Sequence, residues 1–414
     1  MRMLEGKAAD AYIAELEIRG SRLHEVEPAV RRIVEDVRRD KDRALLKYAR
    51  EFDGLEPTQN LRVSDSELKD AWKRAPASLQ TALRTAAKNI RQFCEWQKPK
   101  EWTRSRDGIS LGQLIRPLDS VGCYVPGGRF PLLSTLLMTV IPAQVAGVKN
   151  IRVVSPCPSF EVLAAAAMLG VREFYRVGGA QAIAALAYGT QTIPRVDKIV
   201  GPGNLYVTAA KKLVAFDCAI DMLAGPTEVV IVSSKGSPAF IAADLVAQAE
   251  HDPETLAVFI TTSRRLANGV ANELPKRERD ENAIAEESLA SRGAVLIARS
   301  REEAFAWANR IAPEHISVEK RDLRLVRNAG SVFIGDYSAQ AAGDYASGPN
   351  HVLPTAGAAR FRGGLSVMDF VKLISVQELS SGGLARIAPT VIRLAETEGL
   401  RAHADSIRVR CPCA

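Results

Sequence analysis

From about residue 110 onward, short β-branched or aromatic runs alternate with Ala-rich helical stretches. IRVVSP (151–156) precedes an Ala-rich helix at 160–169, EFYRVGG (173–179) precedes AQAIAALAYG, and VDKIVGPG (196–203) precedes a helix carrying Lys211 and Lys212. A second series follows: TEVVIVSS (227–234) leads into PAFIAADLVAQAEHD, and TLAVFITT (255–262), AVLIARS (294–300), HISVEK (315–320) and GSVFIGD (330–336) are further strand candidates. Strands that read as near-continuous apolar runs are buried on both faces, which is the condition of a parallel sheet sandwiched by helices. Two such series predict two doubly wound α/β domains. VGGAQA and GPGNLY are Gly-rich strand-to-helix turns of the kind that can seat a phosphate on a helix N-terminus, although such turns also use glycine for geometry alone. No G-x-G-x-x-G fingerprint follows any of these strands.

Before this region, residues 25–50 and 66–98 read as charged amphipathic helices, the second capped by Ser64 or Ser66. The most apolar window, Pro131 to Val148, contains two prolines, three hydroxyl residues and Gln144. It is expected as a buried helix rather than a membrane span. The charged stretch 274–290 is expected as a loop or exposed helix. Beyond 365 the pattern predicts a helix at 384–398 and a short strand, IRVR.

At 414 residues the chain is long enough for two or more domains and a large core. The net charge of +7 would favour a negatively charged cofactor, but basic and acidic residues are interspersed (RRIVEDVRRDKDR, KRERDENAIAEE) with no interleaved Arg/aromatic stretch. That is a solvated surface rather than a nucleic-acid footprint. Cys94, Cys123, Cys157, Cys218, Cys411 and Cys413 lack zinc-finger spacing, so a disulfide scaffold is not expected; the tail pair Cys411 and Cys413 could bind metal or react, although a terminal Cys-x-Cys is more often incidental. MRMLEGKAADAYIAELEIRG is charged throughout and does not read as a signal peptide, so a cytoplasmic protein is expected.

Four of the five histidines sit in dense polar motifs: His251 in AQAEHD, His315 in APEHI, His351 in GDYASGPNHVLPT and His403 in EGLRAHADSIRVR. Each has a carboxylate within a few residues, and imidazole is both the commonest transition-metal ligand and the commonest general base near neutral pH. Gln248 and His251, three apart on a predicted helix, share one face and suit metal ligation; a helix-terminal histidine favoured by the dipole is the alternative. Asp344 and His351 flank a Gly/Pro-rich loop and could complete a nitrogen/oxygen site for Zn²⁺, or form an Asx-turn beside an exposed imidazole. Glu314 and His315, just before a strand, could supply one base for an alcohol proton and another for water, or could be a solvated turn. His403 follows Glu398 by five residues near the C-terminus, where a histidine is usually exposed.

Taken together the motifs have a known counterpart. CYVPGGRFPLLSTLLMTVIPAQVAGV, VGGAQAIAALAYGT, VDKIVGPGNLYVTAAK, IDMLAGPTEVVIV, AQAEHD, APEHI, GSVFIGD, GDYASGPNHVLPT and EGLRAHA, in this order, resemble the histidinol dehydrogenase family over nearly the whole chain. The resemblance implies oxidation of L-histidinol to L-histidine through bound L-histidinal, the last two steps of histidine biosynthesis, with two NAD and one Zn²⁺ per subunit. It implies zinc ligands at Gln248, His251, Asp344 and His403, and catalytic residues at Glu314 and His315. Substrate contacts would be Thr227, His315, His351 and Glu398 together with the zinc ligands. NAD contacts would be Tyr124, Gln181 and Asn204.

The implied fold is two incomplete Rossmann-like domains in an intertwined homodimer, with Glu398 and His403 acting in trans. The implied division is an N-terminal arm at 1–20, a main α/β domain at 21–122 plus 226–365, a second Rossmann-like domain at 123–225 and a dimerisation tail at 366–414. No nucleic-acid or membrane partner is implied. The chain departs from the family pattern at Thr227, where AGPTE replaces AGPSE; the hydroxyl survives and a methyl is added. A paralogue that oxidises another small primary alcohol to its acid would keep the same metal and catalytic residues, and RFPLLST (129–135) is where its pocket would differ.

Overall fold

The protein is described by a computed structural model covering residues 1–20, 22–127, 132–276 and 283–411. The chain begins with β1 (Arg2–Glu5) and α1 (Gly6–Glu17), then α2 (Leu23–Asp40), α3 (Asp42–Phe52), α4 (Asp65–Arg74) and α5 (Ala77–Gln97). Each of the two long helices expected here is thus two. The first breaks at Lys41, whose φ of 52° is left-handed. The second breaks before Pro76, which disfavours helix at the residue preceding it. Ser64, not Ser66, caps α4: its hydroxyl accepts from Glu67 N at 3.3 Å, and the Glu67 carboxylate accepts from Ser64 N at 2.9 Å.

β2 (Trp102–Arg106), β3 (Ile109–Pro117) and β4 (Ser120–Tyr124) lead into α6 (Leu133–Ala146), β5 (Asn150–Val154), α7 (Phe160–Met168), β6 (Glu173–Tyr175), α8 (Gly179–Tyr188), β7 (Lys198–Val200), α9 (Leu205–Val214) and β8 (Ala219–Ile220). Five of these strands form one sheet in the order β6-β5-β4-β7-β8, every pair parallel. α6 is the apolar window of the sequence, and nearly all of it is buried against this sheet. Among the described residues no helix is long and apolar enough to cross a membrane.

The second series repeats the pattern: β9 (Glu228–Val232), α10 (Pro238–Ala249), β10 (Leu256–Thr261), α11 (Arg264–Glu273), α12 (Ala283–Ser291), β11 (Ala294–Ile297), α13 (Arg301–Ile311), β12 (His315–Val318), β13 (Ser331–Ile334) and α14 (Gln340–Tyr345). These strands make a six-stranded, all-parallel sheet in the order β1-β11-β10-β9-β12-β13. Both series therefore wind alike, with the strand that opens each, β4 and β9, inside its sheet and the order reversing beside it. This is an α/β architecture of the Rossmann-like kind. Of the charged stretch 274–290, Leu274–Lys276 is a 3₁₀ turn and 283–290 lies in α12, while 277–282 falls outside the described residues.

Helix packing places α2 to α5. α2 and α3 pack with α8 and α9 on one face of the five-stranded sheet, and α4 and α5 pack with α7 and α6 on the other. The apolar stripes of α2 to α5 are thus buried against the 123–225 half, while β2 and β3 lie in a separate sheet with a later strand. The N-terminal arm is not free: β1 is the edge strand beside β11, and α1 covers the six-stranded sheet together with α13.

The C-terminal part also differs from expectation. β14 (Val371–Leu379) pairs antiparallel with β3 along its whole length, and β2 pairs on the other side of β3. The helix expected at 384–398 is α15 (Ser381–Thr397), started by Ser380, whose hydroxyl accepts from Gly383 N at 3.1 Å. IRVR is not a strand. Its first two residues end α16 (Arg401–Arg408), which packs on α15.

Candidate active site

The chemistry-bearing residues collect at the amino edge of the six-stranded sheet. Thr227 immediately precedes β9, and Glu314–His315 stands at the start of β12, the strand beside it. α10 runs back from the far edge, so Gln248 in its last turn arrives next to Thr227. His251 is not on that helix, contrary to expectation. α10 ends at Ala249, Glu250 caps it and His251 lies in the bend before Pro253. Asp344 lies in α14 rather than in the loop, and His351 lies in the loop that follows.

A chain of hydrogen bonds fixes the pair. Gln248 Nε2 donates to Thr227 Oγ1 at 2.5 Å, and the Thr227 hydroxyl donates to Glu314 Oε2, which also accepts from Glu228 N at 2.9 Å. Glu314 and His315 are both buried, at 7 % and 2 % exposure. His315 Nδ1 lies 3.0 Å from the Glu228 carbonyl oxygen. A carbonyl only accepts, so Nδ1 carries the proton and Nε2 of the neutral ring is the basic nitrogen. Nε2 is buried with no hydrogen-bond partner; Asp344 Oδ1 stands at 3.5 Å, an ion-pair distance too long for a good hydrogen bond.

Electrostatics tune these groups. Burial pushes the Glu314 carboxyl up to about 7, against the opposing pull of His315. Burial draws the His315 imidazolium down, but the Glu314 and Asp344 carboxylates outweigh it and hold the ring up at about 9. The Asp344 carboxyl is raised by burial, yet His315, His351 and His251 together keep it below its ordinary value. Burial holds His351 below the usual imidazole range, although Asp344 opposes the shift. His351 Nδ1 faces the Asp344 carbonyl oxygen at 2.8 Å, and its Nε2 lies 3.3 Å from Thr135 Oγ1 on α6. That last contact joins the two halves, because α6 covers the five-stranded sheet. Residues 129–131 of RFPLLST lie outside the described residues.

The five-stranded sheet turns its carboxyl edge to this junction. Tyr124 ends β4; Gln181 sits in the first turn of α8, after β6; Asn204 caps α9, after β7, by accepting from Val207 N at 3.1 Å. The Tyr124 hydroxyl accepts from Gly179 N at 3.2 Å. Gly201, at φ 115°, packs so closely that a Cβ would collide with the Tyr124 carbonyl oxygen. Tyr124 therefore links both Gly-rich turns. The carboxyl edge at the point of strand-order reversal is where open α/β sheets bind ligands.

Gln248, His251 and Asp344 offer an amide oxygen, an imidazole and a carboxylate, a donor set that suits Zn²⁺. Among the described residues no three His, Cys, Asp or Glu side chains are grouped closely enough to hold a metal ion. The fourth expected ligand, His403, is on α16, and Glu398 caps α15. Both are exposed, and neither side chain makes a hydrogen bond or ion pair among the described residues. The structure brings Thr227, Gln248, Glu314, His315, Asp344 and His351 together with His251 at their margin, and leaves Glu398 and His403 apart.

Two contributors escaped the sequence reading. Glu228 looked like the first residue of an apolar strand, yet its carboxylate accepts from Glu314 N at 3.3 Å and from Ala356 N at 3.0 Å. Arg19 holds it bidentately at 2.8 and 2.9 Å. The only local signal was a carboxylate inside an otherwise apolar run.

Fold and site together define an α/β protein of two doubly wound parallel sheets, with a buried carboxylate–imidazole pair where the halves meet. The family model described as histidinol dehydrogenase matches residues 17–411. The histidinol dehydrogenase of Geobacter metallireducens is 46% identical over 400 residues, covering 93% of this chain and 92% of that one. That of Methanothermobacter thermautotrophicus is 47% identical over 392 residues, covering 91% and 92%. The crystal structure of histidinol dehydrogenase from Elizabethkingia anophelis superposes with a TM-score of 0.94 at 35% identity, covering 99% of this chain and 98% of that one. The chain belongs to the histidinol dehydrogenase family and is thereby an oxidoreductase, and its membership supports histidinol oxidation in histidine biosynthesis.

Proposed function

We propose that the protein carries out the four-electron oxidation of L-histidinol to L-histidine through enzyme-bound L-histidinal, reducing two NAD in sequence. The observation that carries this is the His315 Nε2 atom, buried and without a hydrogen-bond partner beside a carboxylate that burial keeps near neutrality. In the first step the substrate hydroxyl gives its proton to His315 Nε2 while the carbinol carbon loses a hydride. In the second, Glu314 takes a proton from water as it adds to the aldehyde carbon, and the hydrate loses the second hydride to give the carboxylate. NAD, when bound, accepts each hydride. Zinc, when bound by Gln248, His251, Asp344 and His403 of the partner subunit, would hold the substrate imidazole and amine. Holding the reacting carbon in one place supplies much of the rate in such reactions, and retention of the aldehyde excludes its side reactions.

Tyr124, Gln181 and Asn204 would contact NAD at the carboxyl edge of the five-stranded sheet. His351, Thr227 and Glu398 of the partner subunit would contact substrate. A homodimer completed in trans is supported by two observations. The His403 and Glu398 side chains lie apart from the cluster, and β14 leaves Leu373, Ile374, Val376 and Leu379 bare, with Leu394 bare on α15. We place the enzyme in the cytoplasm.

The test is NADH production by the zinc-loaded protein with L-histidinol, against other amino alcohols and hydroxy-sulfonates. Two NADH per histidinol, with L-histidine as product, is expected. Absence of histidinol turnover together with rapid turnover of another alcohol would reject the substrate.

A further inference from the structure

Asp53, at the C-terminal end of α3, is 8 % exposed. Only hydrogen bonds, from Gly178 and Gln181, support its buried carboxylate; no cation among the described residues compensates it. Such a carboxylate is costly unless its acceptors are used. Oδ2 accepts from Gly178 N at 2.9 Å and from Gln181 Nε2 at 3.0 Å. Both donors belong to the turn after β6, whose next residue, Gly179, donates to the Tyr124 hydroxyl. Gln181 is itself 1 % exposed, so its amide has no solvent to turn into. With one Nε2 hydrogen committed to Asp53, the amide cannot flip without breaking that bond, which fixes where its oxygen points.

We propose that Asp53 is a positioning residue of the nucleotide site: from the N-terminal helical layer it holds the Gln181 amide in one orientation, so that Gln181 presents its oxygen to NAD in a fixed direction. The proposal rests on the reading of Tyr124 and Gln181 as NAD contacts. It assigns the helices preceding the five-stranded sheet a part in cofactor binding, through a residue that touches the cofactor only by way of Gln181. Asparagine can present one oxygen to both donors, whereas alanine leaves both unpaired.

The experiment is calorimetric titration of NAD into the zinc-loaded dimer for the wild type, Asp53→Ala, Asp53→Asn, Gln181→Ala and the Asp53→Ala/Gln181→Ala double variant. An unpaired buried donor costs enough for Asp53→Ala to weaken NAD about tenfold or more, with kcat at saturating NAD within about twofold. Asp53→Asn should stay within about threefold of the wild type, and in the Gln181→Ala background Asp53→Ala should cost about threefold or less, since its partner is gone. An undiminished loss in the Gln181→Ala background, or Asp53→Asn as weak as Asp53→Ala, or Asp53→Ala as tight as the wild type, overturns the proposal. A wild-type protein that does not bind NAD saturably removes the NAD reading itself, a result distinct from normal wild-type binding with no effect at Asp53.

Discussion

The direction in which His315 works follows from a single carbonyl. Because the Glu228 oxygen commits Nδ1 as a donor, in the proposed reaction Nε2 would do the proton transfer, and asparagine cannot replace it as a base. His315→Asn should keep its zinc and lose about a hundredfold or more in kcat, the usual worth of a positioned general base; metal analysis and steady-state rates check this, and near-normal turnover would contradict the role. In the proposed reaction Glu314 would act on water, and its charge also acts on His315. The Glu314 carboxylate helps hold the imidazole up at about 9, so its removal must lower the ring. Turnover needs His315 neutral, so rates rise with pH through that titration. In Glu314→Gln the rising limb of kcat/KM for histidinol should therefore move to lower pH, even as the second oxidation slows. A limb that stays in place or moves up would sever the two residues.

Elements place these side chains by their ends more than by their faces. β9 and β12 present what precedes or begins them, and α10 presents its last turn. At the opposite, five-stranded sheet, Gly201 combines a left-handed φ with close approach to the Tyr124 carbonyl. Gly201→Ala should lower stability by about 1–3 kcal/mol and weaken NAD as the turn shifts; urea denaturation and an NAD titration read the two effects, and a variant unchanged in both would show that the turn is slack. The buried parallel strands were legible because each is a short apolar run, as in EVVIV and LAVFIT. The antiparallel sheet was not. Nearly all of β14 is exposed, and its partner β3 lies more than 250 residues earlier, so no local burial pattern marks the pair. His251 looked helical because a three-residue spacing ignores the proline two positions on. The catalytic and metal candidates were legible as motifs; Asp53, Glu228 and Arg19 were not, since each acts through a contact made far away in the chain.

At the scale of the molecule, the proposed trans arrangement would separate two kinds of inactive subunit. A His315→Asn chain has a dead core and a sound tail; a His403→Ala chain has the reverse. Each homodimer should be inactive. Co-refolded at equal amounts, the two should recover roughly a quarter of wild-type activity, because half the dimers are mixed and each mixed dimer contains one intact site of two. Recovery at the level of the separate variants would place His403 in its own subunit's site, or outside any.

The two halves wind alike but put opposite rims to use. The candidate residues gather where β9 and β12 begin; at the rim where those strands finish, Lys235 pairs with Glu319 at 3.3 Å. The hairpin-like bend at Lys235 and Gly236 faces solvent there. A peptide tag or fluorophore spliced into that bend would have the length of β9 between itself and Thr227, which makes it a handle for immobilising or labelling the enzyme.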